Sequence, residues 1–518
     1  MNMHYPLASS IVLDPARTQL LKAMKAAGLN KIWLHGYFYG HMASSLSDMV
    51  EAKSILEQLG FEVGIMNVPF NHQGNALNPD DPDMQLTLPD TWKYRIDRHG
   101  DPVYYCAEIE ANMITDQIAA MEVLRDAGFT DIFLDDDTRQ GNWSPEIEGS
   151  FSEESIVEFN EKWGRSESRE SLSRRIEQKE TSEILKEWMI FNSAKVTAFM
   201  KAVSLPGIRI GHMIMPDGDE RQGLDVVAMQ QAIPACMFRV GEHQYSDRAY
   251  GNPKGRALGY ISTQKHLNRI GKEFAYSETT VFPDRALSAD NLAFKAKMAV
   301  VAGISNIMFM SGTAVIAEDN WSVIQQELPK LQELEGYLAA CEPEFPVHLV
   351  YSTHPVYQEP LETPTLATLA GLPVKPVRGT EKTPAGDILL VFGDYKLDEE
   401  WEPQLQGYKK VILDAAAARR NPERLNGQGG ENIHVWNHEV GTASQEAEAA
   451  MLRELLQADE WEFPWLTAGD NVLLVWLKDS RRVLLVNLDE KEQACQLRYS
   501  GARQDVSVPS LAYRLLSL

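Results

Sequence analysis

One unit recurs along the first two-thirds of the chain: an amphipathic helix, a glycine, a short gap, then an apolar strand that ends in polar residues. It reads AAGLNKIWLHG at 26–36, LGFEVGIMNV at 59–68 and AGFTDIFLDDD at 127–137. It returns as LPGIRIGHMIM at 205–215, IGKEFAYSE at 270–278 and AGISNIMFMSG at 302–312. A glycine after a helix permits the left-handed conformation that ends it. The strands that follow are too uniformly hydrophobic to have a wet face, as expected of parallel strands covered by helices. Two weaker candidates, VYYCAE at 103–108 and ACMFRVGEHQY at 235–245, bring the number of strands to eight. Eight alternating βα units predict a closed (β/α)8 TIM barrel over residues 1–342, with a doubly wound open sheet as the competitor. The polar stretch at 140–180 reads as a helical insertion after the fourth strand.

In such a barrel the chemistry sits at the C-terminal ends of the strands. Strand one would present His35, Tyr37 and His41, strand two Asn67, Asn71 and His72, and strand three Glu108. Strand four ends in Asp135, Asp136, Asp137 and Arg139, and strand five in His212 and Asp217. Strand six ends in Arg239, Glu242, His243 and Tyr245, strand seven in Glu278, and strand eight in Ser311.

Acidic groups at opposed strands are what glycoside hydrolysis needs: one carboxyl donates a proton while the other attacks or activates water. Strands four and seven lie across a barrel from each other, which makes Glu278 and the aspartate run the candidate pair. Alternation sends Asp135 and Asp137 to one side and Asp136 to the other. Asp137 is the first choice for the acid and Asp136 the second. Competing roles are a turn cap and an ion pair with Arg139. His35, Tyr37, His41, Asn67, Glu108, Arg139, His212, Arg239, Glu242, His243 and Tyr245 are the candidate substrate contacts.

The five rim histidines are the rival signal, since with the aspartates they could hold a metal. No HxH or HExxH spacing supports that, and the reading needs no metal or cofactor. Trp143, Tyr37 and Tyr245 are candidate stacking platforms for a sugar ring, whereas Trp33 is mid-strand and reads as core. No GxGxxG, Walker or GxSxG motif is present. A formal net charge of −25 repels phosphate backbones and anionic lipid, so neither nucleic acid nor a membrane is an expected partner. Four widely spaced cysteines read as reduced, buried thiols. Met1 to Ser10 shows no signal-peptide pattern, so a cytoplasmic location is expected.

The remaining residues change pattern twice. FPVHLVYS at 345–352, DILLVFGD at 387–394 and the strand opening KKVILDAAAA predict a flavodoxin-like α/β domain over 343–460. NVLLVWLKDSRRVLLVNLDE at 471–490 predicts antiparallel strands, and with the C-terminal VSVPSLAYRLLSL a small β domain over 461–518.

This order of parts resembles the three-domain clan-A glycoside hydrolases, namely the family 42 β-galactosidases and the β-mannosidase-type family 164. The resemblance is one of architecture along essentially the whole chain. It implies an exo-acting, retaining β-glycosidase with its acid/base after strand four, on the Asp135, Asp136, Asp137 run, and its nucleophile after strand seven, on Glu278. It also implies a carbohydrate substrate and a homotrimer. Two features depart from the clan: aspartates replace the usual Asn-Glu at strand four, and IMFMSG at strand eight lacks a tryptophan. A metal-dependent barrel hydrolase or lyase and a non-catalytic carbohydrate-binding relative are the alternatives.

Overall fold

The computed structural model describes residues 1–71, 77, 86–135, 138–141, 147–215, 220–312, 314–352, 362–379, 386–397, 401–425 and 432–518. The chain forms two compact units. The first comprises residues 1–241, 270–280 and 304–328, and the second 242–269, 281–303 and 329–518.

The first unit holds a closed barrel of eight parallel strands. In chain order they are Asn2–Leu7, Leu29–Phe38, Glu62–Val68, Asp131–Leu134, Arg209–Ile214, Met237–Val240, Ala275–Ser277 and Asn306–Met310. Each pairs with its sequence neighbours, and strand one closes the ring by pairing with both strand two and strand eight. The connecting helices are Thr18–Ala26, Leu46–Gln58, Ala111–Asp126, Glu183–Val203, Val226–Ala232, Pro253–Leu267 and Ala289–Ala302, with Glu318–Ala340 after strand eight. This is a (β/α)8 TIM barrel. Two further helices, Glu153–Trp163 and Arg169–Glu177, precede the helix that leads into strand five.

Two strand assignments from sequence need correction, and they offset each other. Strand one is NMHYPL at the N-terminus, where a histidine and a proline mask the strand pattern although all but its first residue is buried. Conversely, the run at 103–108 is not a barrel strand. It forms Pro102–Ala107, antiparallel to Tyr94–Ile96, in a separate two-stranded ribbon. Its alternation of buried and half-buried residues is that of a one-faced ribbon. Glu108 therefore does not end a barrel strand, and the run at 131–134 remains the fourth.

The barrel interior is filled by side chains. Trp33, Met66, Phe133, Met237, Tyr276, Met308 and Met310 form one buried cluster contributed by six strands. Gly64 and Gly211 leave the room these rings need: a Cβ at Gly64 would lie 2.5 Å from the Trp33 ring, and one at Gly211 2.4 Å from Phe133. The glycines of the repeat act largely as read. Gly128 and Gly303 have φ of 84° and 101°, whereas Gly271 at −67° only precedes a short turn.

In the second unit, strands Val347–Ser352, Val374–Arg378, Ile388–Val391, Lys410–Leu413 and Ile433–Val435 form a parallel sheet. Numbered along the chain, their order is 2-1-3-4-5, the flavodoxin-like arrangement. Two three-stranded antiparallel sheets follow, built from Trp465–Ala468, Gln493–Tyr499 and Ala502–Val508, and from Val472–Leu477, Arg482–Asn487 and Tyr513–Ser517. Buried Arg256 ties helix Pro253–Leu267 to the second of these regions, donating to the Leu488 carbonyl at 2.7 Å and to Asn291 at 2.8 Å. No helix among the described residues is long and apolar enough to cross a membrane.

Candidate active site

Strand alternation decides which charged residues enter the barrel. Phe133, Met237 and Tyr276 belong to the interior cluster. Two residues further along strands four, six and seven, on the same face, come Asp135, Arg239 and Glu278. All three are buried, at 1%, 1% and 3% exposure. The Arg239 Nη2 lies 2.8 Å from Asp135 Oδ1 and 3.9 Å from Glu278 Oε1. One guanidinium thus joins Glu278 to Asp135, the first of the three aspartates after strand four, whereas the sequence reading prefers Asp137 and then Asp136 as its partner. The thioether sulfurs of Met310 and Met213 flank its two terminal nitrogens, at 2.6 and 2.7 Å.

Backbone and hydroxyl contacts hold these groups in place. The Asp135 N–H donates to the Asn67 carbonyl at 2.8 Å, which ties the end of strand four to strand three. Next to Glu278, the Ser277 hydroxyl accepts the Met308 N–H at 3.1 Å and bonds Thr279 Oγ1 at 2.7 Å. Glu278 thereby sits between two short segments, Ala275–Ser277 and Thr279–Thr280, that both pair with strand eight.

Of the other predicted contacts, His35 shares the interior face of strand two with Trp33 and is 8% exposed. Asn67 acts on the backbone instead: its Oδ1 accepts the Tyr37 N–H at 2.7 Å and its amide faces the Met121 sulfur. Burial pushes the Tyr37 hydroxyl up to about 12. His41 is exposed and bonds the Thr87 carbonyl at 2.7 Å. Arg139 is buried after strand four and donates to Gln222 at 2.7 Å. His212 lies beside Phe238, between the interior-facing Gly211 and Met213, so it faces away from the interior. Burial alone holds its imidazole down at about 3. Glu108 is bonded by Ser150 and, at 3.2 Å, by Ser155, away from the barrel strands. Asp136 and Asp137, the two preferred proton donors, lie outside the described residues, as do His72, Trp143 and Asp217.

The segment after strand six belongs to the second unit and has its own support. Lys295, buried in helix Ala289–Ala302, donates to the carbonyls of His243 at 2.9 Å and Gln244 at 3.4 Å. Its ammonium is 3.9 Å from the Glu242 carboxylate and 5.0 Å from the Tyr245 ring centre. His243 and Gln244 are consecutive left-handed residues, with φ of 58° and 64°. Such backbone costs about 1–3 kcal/mol per residue and persists where surrounding bonds hold it. Sequence reasoning missed Lys295. Its signal is a lysine inside the otherwise apolar run NLAFKAKMAV. It also gave Arg239 to the substrate, whereas the guanidinium pairs with the carboxylates. Among the described residues, no three His, Cys, Asp or Glu side chains gather as a metal-binding group.

No protein-family model matches the chain, and no curated protein matches it in sequence. Solved structures do. The β-galactosidase of Rahnella sp. R3 superposes with a TM-score of 0.65 at 9% identity, covering 100% of this chain and 98% of that one. A GH42 β-galactosidase from G. stearothermophilus gives 0.61 at 9% identity, over 99% and 97%. The α-L-fucosidase isoenzyme 2 of Paenibacillus thiaminolyticus gives 0.56 at 10%, over 99% and 98%. At such identities the likeness establishes the fold: a TIM barrel followed by a flavodoxin-like sheet and a small antiparallel β region.

Replacing Arg239 with Met removes the guanidinium that lies beside two buried carboxylates. The expected cost is about 3–5 kcal/mol in urea unfolding, and a loss below about 1 kcal/mol contradicts the ion-pair assignment. His212 supplies a pH test. Its folded-state value of about 3 lies below the ordinary 6.5. Its contribution to stability is therefore complete above pH 6.5 and is lost as the pH falls towards about 3. A His212→Leu variant should be spared roughly 2–3 kcal/mol of the parent's loss at about pH 4.5. Identical pH slopes in urea titrations of the two proteins would show that His212 is not held neutral.

Proposed function

We propose that the protein is a glycoside hydrolase, an exo-acting retaining β-glycosidase of β-galactosidase or β-mannosidase type. The observation that carries the reading is the meeting of Asp135 and Glu278 on one guanidinium at the C-terminal end of a closed barrel. Their shared nitrogen keeps the two nearest oxygens within about 7 Å of each other, so Glu278 lies close to the end of strand four, from which the aspartate run continues. The whole-length likeness to β-galactosidases and a fucosidase supports the same reading.

In this mechanism Glu278 attacks the anomeric carbon and a carboxyl of the strand-four run protonates the leaving oxygen, then takes a proton from the incoming water. Asp135 is engaged by Arg239, so the proton donor is Asp137 or, second, Asp136. Arg239 orients Glu278 and offsets its charge in the low-dielectric interior. His35 binds sugar hydroxyls. Division of the chain at 342/343 and 460/461, assembly through the middle domain as a homotrimer and a cytoplasmic location belong to the same proposal.

A panel of nitrophenyl β-glycosides should reveal turnover by the parent, unchanged by chelator. Glu278→Gln should lower kcat by about a thousandfold or more while the far-UV circular dichroism stays the same. Near-parental activity in that variant would refute the nucleophile. Tight sugar binding without turnover by the parent would make the chain a carbohydrate-binding relative.

A further inference from the structure

A cavity of about 750 Å³ lies between the ribbon Tyr94–Ile96/Pro102–Ala107, the start of helix Ala111–Asp126, and helices Glu153–Trp163 and Glu183–Val203. Ile96, Pro102, Ile109, Ile114 and Phe199 make much of its wall apolar. Glu108 also lines it, and is only 7% exposed.

The charges around the cavity can be matched one by one. Glu110 caps its helix, accepting the N–H groups of Asn112 and Met113 at 3.1 and 3.0 Å. Lys93 pairs with Glu154 at 3.0 Å, and Lys195 with Glu158 at 3.2 Å. Arg95, behind the ribbon, is held by Glu148 at 2.9 Å and the Gly149 carbonyl at 2.7 Å. Glu108 receives two serine hydroxyls, and its nearest ammonium is Lys195 at 3.8 Å, which stands closer to Glu158. Lys195 is thus shared between buried Glu108 and exposed Glu158, and the lining carries four carboxylates, Glu108, Glu110, Glu154 and Glu158, against the two ammonium groups of Lys93 and Lys195.

We propose that this cavity binds a small organic monocation with an apolar body, its ammonium directed to Glu108 and its body on Ile109, Ile114 and Phe199. Pockets of this size with apolar walls and a few fixed polar groups suit small organic ligands, and the excess of carboxylates disfavours an anion. Burial also pushes the Glu108 carboxyl up, against the opposing pull of Ser150, Lys195 and Ser155. A bound cation would add to that pull.

The test is calorimetric titration of the full chain with phenethylamine, its neutral analogue 2-phenylethanol, and phenylacetate. The amine should bind saturably and at least about tenfold tighter than the alcohol, with phenylacetate weakest. Glu108→Gln should bring the amine to the affinity of the alcohol. Ala198→Trp, at an exposed helix position on the cavity lining, should weaken the amine at least about tenfold without changing the urea midpoint, so the test survives if the Glu108 variant fails to fold. Equal affinity for amine and alcohol, or parental amine binding in Ala198→Trp, would overturn the proposal. Because the readout is binding, it is independent of whether the barrel hydrolyses glycosides.

Discussion

Arg239 stands inside the barrel between two carboxylates, and the buried site is organised around that contact. Three ionisable groups so little exposed are costly to bury, and they persist only where each is matched by an opposite charge or a hydrogen bond. The guanidinium suits this place because it is always charged and its planar fork can face two acceptors. It joins strands four and seven through strand six, which lies beside strand seven and is separated from strand four by strand five. Below it the interior is packed with Trp33, Phe133, Tyr276 and four methionines, so the charged layer adjoins an apolar cluster.

Much of this arrangement was legible in the sequence because its signals are periodic. The helix–glycine–strand unit predicts the barrel, and the polar strand ends that it marks include Asp135, Arg239 and Glu278. Where the pattern is short or interrupted, it misleads. NMHYPL looks unlike a strand because His4 and Pro6 break its apolar run, yet it closes the ring. VYYCAE looks like a strand and is one, but in a separate ribbon, because composition reports local extension and not the partner. The role of Arg239 was hidden for a related reason. A lone arginine at a strand end reads as a substrate ligand until the distances to Asp135 and Glu278 are known.

The same contrast holds for histidines and loops. His212 and His41 appeared as rim residues by position along the chain, but one points away from the interior and the other is taken by the Thr87 carbonyl. The left-handed pair His243 and Gln244 has no glycine to announce it, and what holds it, Lys295, is 51 and more positions away in the chain. Glu108 was grouped with the barrel rim because the ribbon was taken for a strand. Once moved, it explains a cavity that a reading confined to the barrel would pass over.

The central claim is that Glu278 is the nucleophile of a retaining glycosidase, held by Arg239. The most direct measurement is trapping of the glycosyl–enzyme with activated 2-deoxy-2-fluoro β-glycosides, followed by peptide mass spectrometry. The account predicts one sugar added per chain, on Glu278. A label on any other residue, or none from a sugar whose parent glycoside is turned over, would contradict it.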